Sequence, residues 1–425
     1  MAYRKVDDTS LASVADAIRS KGGTSDALVF PDGFVSAISA IQAGGGGGGG
    51  ATPYGEHIYG VTWGSSADPA VIDTVGHRTD EAAGFEDPVP FLAGSSDEEY
   101  MMSLASCGSP FDSLYPWSEM RIIKDKYGDF VSIPKFWYRW ANSDAEYGLS
   151  LQIATYAAPG FSLAPAFRDR GDGKGERDMV YISRYKSTVN NGMSTTGYAP
   201  LVDMTRAQLR TTISTKIAQI GLSGYSIQDY AMFWTVRMLY LVEYANWDSQ
   251  SAIGFNAGKV DDDQTNPLPT GTTDTMPYHT GSMRSSRSAY GQGVQYRYIE
   301  DPWGGVQEWV DGWYMDSGRN ISIILDPAKY SDTEGGVTVG NAPPYGWISS
   351  WEIPKVAGYD WALTPVVTDG GGSDLGVADV CSLYGPVLFC GGALAANARC
   401  GAFYLSAYVA SYHGVNIGAR LQKIP

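Results

Sequence analysis

Seven consecutive glycines, Gly44 to Gly50, limit what this chain can fold into more than any other feature. Without a Cβ, such a run has no preferred conformation and no side chain to bury, so it acts as a linker between units that fold separately. It predicts three parts: a unit at 1–43, the linker at 44–50, and a domain over 51–425, where no comparable break occurs. In the first unit Leu11, Val14, Ala15 and Ile18 repeat at helical spacing, and Asp8-Thr9-Ser10 offers capping side chains. Lys21-Gly22-Gly23 stops that helix. A second short helix follows Phe30-Pro31-Asp32-Gly33-Phe34 and carries Val35, Ile38 and Ile41. Two helices of this size bury little surface alone, so the unit is expected to dock on a partner or self-associate.

The long remainder reads as α+β, with many short strands and one long core helix. Strands are expected at Phe130–Trp137, Met179–Tyr185, Gln295–Ile299 and Val306–Val310, which are rich in aromatic and β-branched residues. Between Ile227 and Asn246, residues Tyr230, Phe233, Trp234, Arg237, Met238, Leu241, Val242 and Ala245 fall on one broad helical face, with Asp229 in the first turn. Abundant glycine and tyrosine with few charged residues fit an irregular, loop-rich domain and exclude a helical bundle or coiled coil. No fixed-period repeat suggests a fibre shaft.

A formal charge of −16 repels phosphate backbones and anionic lipid, so neither nucleic-acid binding nor membrane insertion is expected. No apolar run is long enough to span a bilayer, and the first residues lack the apolar stretch of a secretion signal. Cys107, Cys381, Cys390 and Cys400 show no Cys-x-x-Cys spacing. They read as free thiols, with one bridge among the last three left open. The four histidines, His57, His77, His279 and His413, are scattered, and His279 reads as a turn residue. No nucleophile elbow or phosphate loop occurs. Asp261-Asp262-Asp263 reads as a solvated loop, and Arg170-Gly171-Asp172 as a chance tripeptide in a Gly- and charge-rich loop. No catalytic residue, metal or cofactor is therefore expected.

Two resemblances sharpen this reading. Residues 6–41, above all Leu11 to Arg19 and Phe30 to Phe34, resemble a short N-terminal segment common in phage tail proteins, which implies attachment to tail or baseplate proteins. Residues 56–421 resemble the C-type-lectin fold shared by formylglycine-generating enzymes and the variable proteins of diversity-generating retroelements. The resemblance rests on Ile133-Pro134-Lys135-Phe136-Trp137-Tyr138, on Tyr244 to Gly254, and on Tyr296 to Gly312. The last contains Gly304-Gly305-Val306-Gln307-Glu308-Trp309, with Gly305 where asparagine is usual. Gly391-Gly392, Gly401-Ala402-Phe403-Tyr404 and Asn416 to Leu421 frame the C-terminal part. Trp303 and Trp309 are expected to face one way as core aromatics. Glu300, Asp301, Glu308 and Asp311 are read as partners of Arg297 and of backbone amides, with calcium binding as the lesser reading.

The resemblance implies a variable, ligand-facing segment over about 391–416. The positions chosen for it are Ala393, Leu394, Ala395, Arg399, Ser406, Tyr408, Val409, Tyr412, His413 and Val415. Tyrosine and histidine there would supply rigid amphipathic contacts. The plainer reading of the same stretch is a strand pair of mixed composition. The oxidase branch of the fold uses two cysteines that bind copper; Ala396 stands near the first position and Cys400 is displaced from the second, so that activity is not expected. The implied protein is a virion tail adhesin, trimeric by resemblance, that binds a host cell-surface protein or glycan through a retroelement-diversified surface. A tail glycan depolymerase is the alternative, since paired carboxylates are recognised only in space.

Overall fold

The computed structural model describes residues 54–64, 72–143, 148–254, 267–283, 293–368, 379–392 and 401–425. The chain divides into two units, Met1–Glu56 and His57–Pro425. The N-terminal helices and the polyglycine run expected from the sequence lie outside the described residues.

The second unit is α+β, with short strands in several sheets arranged about one helix. That helix spans Tyr230–Tyr244, starts at Asp229, whose side chain accepts the Met232 amide, and ends at Ala245 with φ +52°. All fifteen of its residues are buried, which corrects the expectation of a single buried face. A helix apolar around most of its circumference is stable only when enclosed. Its charged side chains and Thr235 are hydrogen-bonded, whereas the Trp234 indole N–H and the Tyr240 hydroxyl are buried without a hydrogen-bond partner among the described residues. The Glu243 carboxylate accepts from Arg297 at 2.6 Å, Ser109 at 2.8 Å and the Tyr296 phenol at 3.0 Å. Thr235 donates to the Ala231 carbonyl.

Two antiparallel five-stranded sheets flank this core. One has the order His77–Asp80, Ile58–Trp63, Leu149–Ala154, Trp137–Asn142, Ser162–Leu163. The other has Tyr225–Ile227, Arg420–Lys423, Met179–Lys186, Gly128–Pro134, Ile122–Asp125, so the last strand of the chain is held between two earlier ones. A seven-stranded sheet carries the C-terminal segment. Its order is Thr364–Thr368, Gly346–Glu352, Val380–Leu383, Leu405–Tyr408, Val387–Cys390, Gln307–Val310, Ile417–Gly418. Among the described residues no helix is long and apolar enough to cross a membrane.

Several strand expectations are revised. The stretch Phe130–Trp137 divides into Gly128–Pro134 and Trp137–Asn142, because Pro134 ends the first and the chain changes sheet. Gln295–Ile299 is a tight hairpin whose turn residues Arg297 and Tyr298 have φ of +45° and +69°. Two successive positive φ values fit the mirror-image turns that match strand twist. Trp303 lies in a turn and joins the main core, whereas Trp309 lies on a strand and joins a second cluster with Phe389, Ile213 and Leu421. The two tryptophans therefore face different cores. Gly305 has φ +67°, a conformation that glycine and asparagine both tolerate.

Candidate functional site

Strand Leu405–Tyr408 runs antiparallel to Val387–Cys390 and parallel to Val380–Leu383. The strand is covered on both faces as well as paired on both edges: Leu405, Ser406 and Ala407 are buried, and it surfaces only at Tyr408. Ser406 is thereby corrected as a ligand-facing position, because its hydroxyl donates to the Ser382 carbonyl at 3.1 Å. The framed segment separates into two groups. Ala393, Leu394, Ala395 and Arg399 fall between Gly392 and Gly401, outside the described residues. Their flanking residues lie at the Cys390–Leu405 end of the strand pair. Tyr408, Val409, Tyr412, His413 and Val415 lie at or beyond the other end, roughly 10 Å away at about 3.3 Å per residue.

At that far end the rings form a continuous surface group, with Tyr384 and Tyr408 exposed and Tyr412 part-buried. Tyr408 and Tyr412 stand with centroids 4.8 Å apart, and Tyr384 meets Tyr408 edge-on at 6.4 Å. Beneath them Phe389 stacks on Tyr412 at 6.0 Å and meets the buried Trp309 at 5.4 Å. Tyr384 is 59% exposed, the most open of the three, and the sequence did not single it out. Its signal was the Tyr384-Gly385-Pro386 turn. A Cβ on Gly385 would fall 2.1 Å from the Tyr408 carbonyl carbon, so only glycine allows the turn to lie against the strand. The Tyr384 amide donates to Ala407 O at 2.8 Å and fixes that approach.

The loop after the strand is fastened too. The Tyr412 amide donates to Val409 O, and the Asp203 amide to Gly414 O at 3.0 Å. His413 Nδ1 lies 2.7 Å from an Asp203 carboxylate oxygen. Asp203, Met204, Ala207, Gln208, Thr211 and Thr212 line a shallow depression of ≈ 530 Å³ along the start of helix Arg206–Gln219. Val409 and Val415 are exposed. Burial and then the neighbouring Tyr408 raise the Tyr412 phenol above its ordinary value, so it stays a neutral donor and acceptor. The arrangement offers apolar ring faces, phenols, one imidazole and one carboxylate.

The other candidates serve the scaffold. Glu308 pairs with Lys186 at 2.5 Å and Arg420 at 2.9 Å, and Asp311 with Arg210 at 2.6 Å. Glu300 accepts the Gly271 and Thr273 amides, and Asp301 that of Val294. Arg297 pairs with Glu243 and Asp112 instead of the carboxylates expected for it. His279 lies 2.8 Å from Asp112. Arg170 is buried against Asp229, so Arg170-Gly171-Asp172 presents no exposed arginine. Among the described residues no group of three or more His, Cys, Asp or Glu is placed to hold a metal ion.

Cys381 and Cys390 both register against Leu405, from its two sides. Two strand spacings, roughly 9–10 Å, separate them, beyond the Cα span of a disulfide. Both are free thiols, and burial pushes that of Cys390 up to about 12. Cys107 is free and partly exposed, and Cys400 lies outside the described residues. Comparison of the chain with protein-family models and with curated proteins finds no match.

Proposed function

We propose that this chain is a phage tail receptor-binding protein, with a C-type-lectin-like domain that presents its C-terminal surface to a host-cell protein or glycan and performs no catalysis. The single observation that carries the reading is the surface ring group, exposed Tyr384 and Tyr408 with part-buried Tyr412, seated on the buried rings of Phe389 and Trp309. Large rings held rigidly at a surface lose little entropy on binding, which is why binding loops favour tyrosine. The finer fold reading is supported by the enclosed helix Tyr230–Tyr244 and by a C-terminal strand inserted between earlier ones. Attachment to the tail through residues 1–43, a trimeric state, virion localisation and retroelement diversification of 391–416 belong to the same proposal and rest on the sequence resemblance. Several copies on one virion would raise weak single-site binding by multivalency.

The test is adhesion of the purified protein to a panel of intact bacteria. Wild type is compared with Tyr408→Ala, Tyr412→Ala, His413→Ala combined, at matched thermal stability. Loss of adhesion places recognition on this surface. Unchanged adhesion of a folded variant removes the reading's main support.

A further inference from the structure

The tripeptide Gly401-Ala402-Phe403, just ahead of strand Leu405–Tyr408, is held almost wholly by side chains from elsewhere. Asp379 accepts the Gly401 amide at 2.5 Å through one carboxylate oxygen and the Phe403 amide at 2.9 Å through the other. Ser249 Oγ accepts the Ala402 amide at 2.9 Å, and Arg237 Nε donates to the Ala402 carbonyl at 2.8 Å. All three side chains are buried. A Cβ on Gly401 would lie 2.5 Å from both Asp379 oxygens, so glycine is what lets the carboxylate reach the backbone.

The charges make this arrangement informative. Neither Asp379 nor Arg237 forms an ion pair with a described residue, although each is buried. A buried charge without an ion-pair partner is costly unless its hydrogen bonds are well formed, and here Arg237 has besides them only the Phe233 ring face at 3.7 Å among the described residues. Burial accordingly pushes Asp379 up to about 8, helped by nearby Asp248 and opposed by the two amides and Arg237, while it lowers Arg237. Every one of the four bonds goes to the main chain, so none depends on side chains in the preceding segment. Fixing 401–403 also fixes the register of the strand that follows. A slip of one residue there would move each side chain to the opposite face of the sheet and take Tyr408 away from Phe389, Tyr384 and Tyr412.

We propose that Asp379 and Arg237 are positioning residues for the aromatic surface: by gripping the backbone of Gly401–Phe403 they set the register that exposes Tyr408 beside Tyr384 and Tyr412. The link to adhesion rests on the receptor-binding reading, whereas the grip itself can be measured without a receptor. The experiment follows amide hydrogen exchange of the full-length chain in Asp379→Ala and in the milder Asp379→Asn, which keeps one acceptor. The expected result is exchange at Gly401 and Phe403 faster by about tenfold or more in Asp379→Ala, as for loss of a buried hydrogen bond, and less in Asp379→Asn. Helix Tyr230–Tyr244 should be unaffected. Uniform acceleration across the domain, or none at either amide, overturns the proposal; if Asp379→Ala does not fold, Asp379→Asn decides by the same pattern. On bacteria that wild type binds, Asp379→Asn should adhere less at unchanged melting temperature. Full adhesion by Asp379→Asn, where the tyrosine variant has lost it, overturns the positioning role. A tyrosine variant that still adheres removes the receptor-binding reading instead and leaves the exchange result to judge the grip.

Discussion

Buried carboxylates set how this domain responds to pH. Asp301 follows Glu300 directly, and burial together with that neighbour pushes it up to about 7. A folded value above the unfolded one means that this group's contribution is fully present below about pH 4 and fades as the pH rises through 7. Asp301→Asn keeps the side-chain oxygen that accepts the Val294 amide and removes the charge. Denaturant unfolding should therefore show it more stable than wild type at pH 8 by roughly 2–4 kcal/mol, at about 1.4 kcal/mol per unit, and little different at pH 4. Equal stability differences at the two pH values would show that Asp301 does not titrate there. Glu308 runs the other way: Arg420 and Lys186 outweigh its burial and hold it below the ordinary range. Glu308→Gln leaves two buried cations short of a partner and should cost about 3–5 kcal/mol near neutrality, read from the urea midpoint.

For the elements, the test is whether backbone geometry places the rings. Gly385→Ala adds one methyl group against the Tyr408 backbone and leaves all three tyrosines in the sequence. It should cost about 1–3 kcal/mol by overpacking and should weaken adhesion along with it. Retained adhesion at reduced stability would mean that the Tyr384 turn does not matter for recognition. At the helix, Asp229 caps Tyr230–Tyr244 and also takes the buried Arg170 and the Tyr330 phenol. Asp229→Ala should lose far more than the ~1 kcal/mol of a surface cap, because it strands a buried guanidinium. Chemical denaturation would show a small loss if the cap alone counts.

Over the whole molecule, the polyglycine run between two units predicts that they unfold separately. Cleavage within Gly44–Gly50 should leave the main calorimetric transition unchanged and, on the proposed attachment through residues 1–43, should abolish incorporation into tails. A shifted transition would mean that the first unit contributes to the second's stability. The helix at Tyr230–Tyr244 and the α+β class were legible in the sequence because local composition and periodicity encode them, whereas the choice of Tyr408 and Tyr412 came from the resemblance. Tertiary pairing decided the rest. Ser406 is buried because both faces of its strand are covered, Tyr384 joined the surface through a glycine-only approach, and the residues flanking the first half of the framed segment lie at the opposite end of the strand pair from Tyr408. Arg297 met Glu243 and Asp112 because the turn of its hairpin lies against the core helix. A sequence specifies such partners only through the register of distant strands, and a shift of one residue would reassign them all.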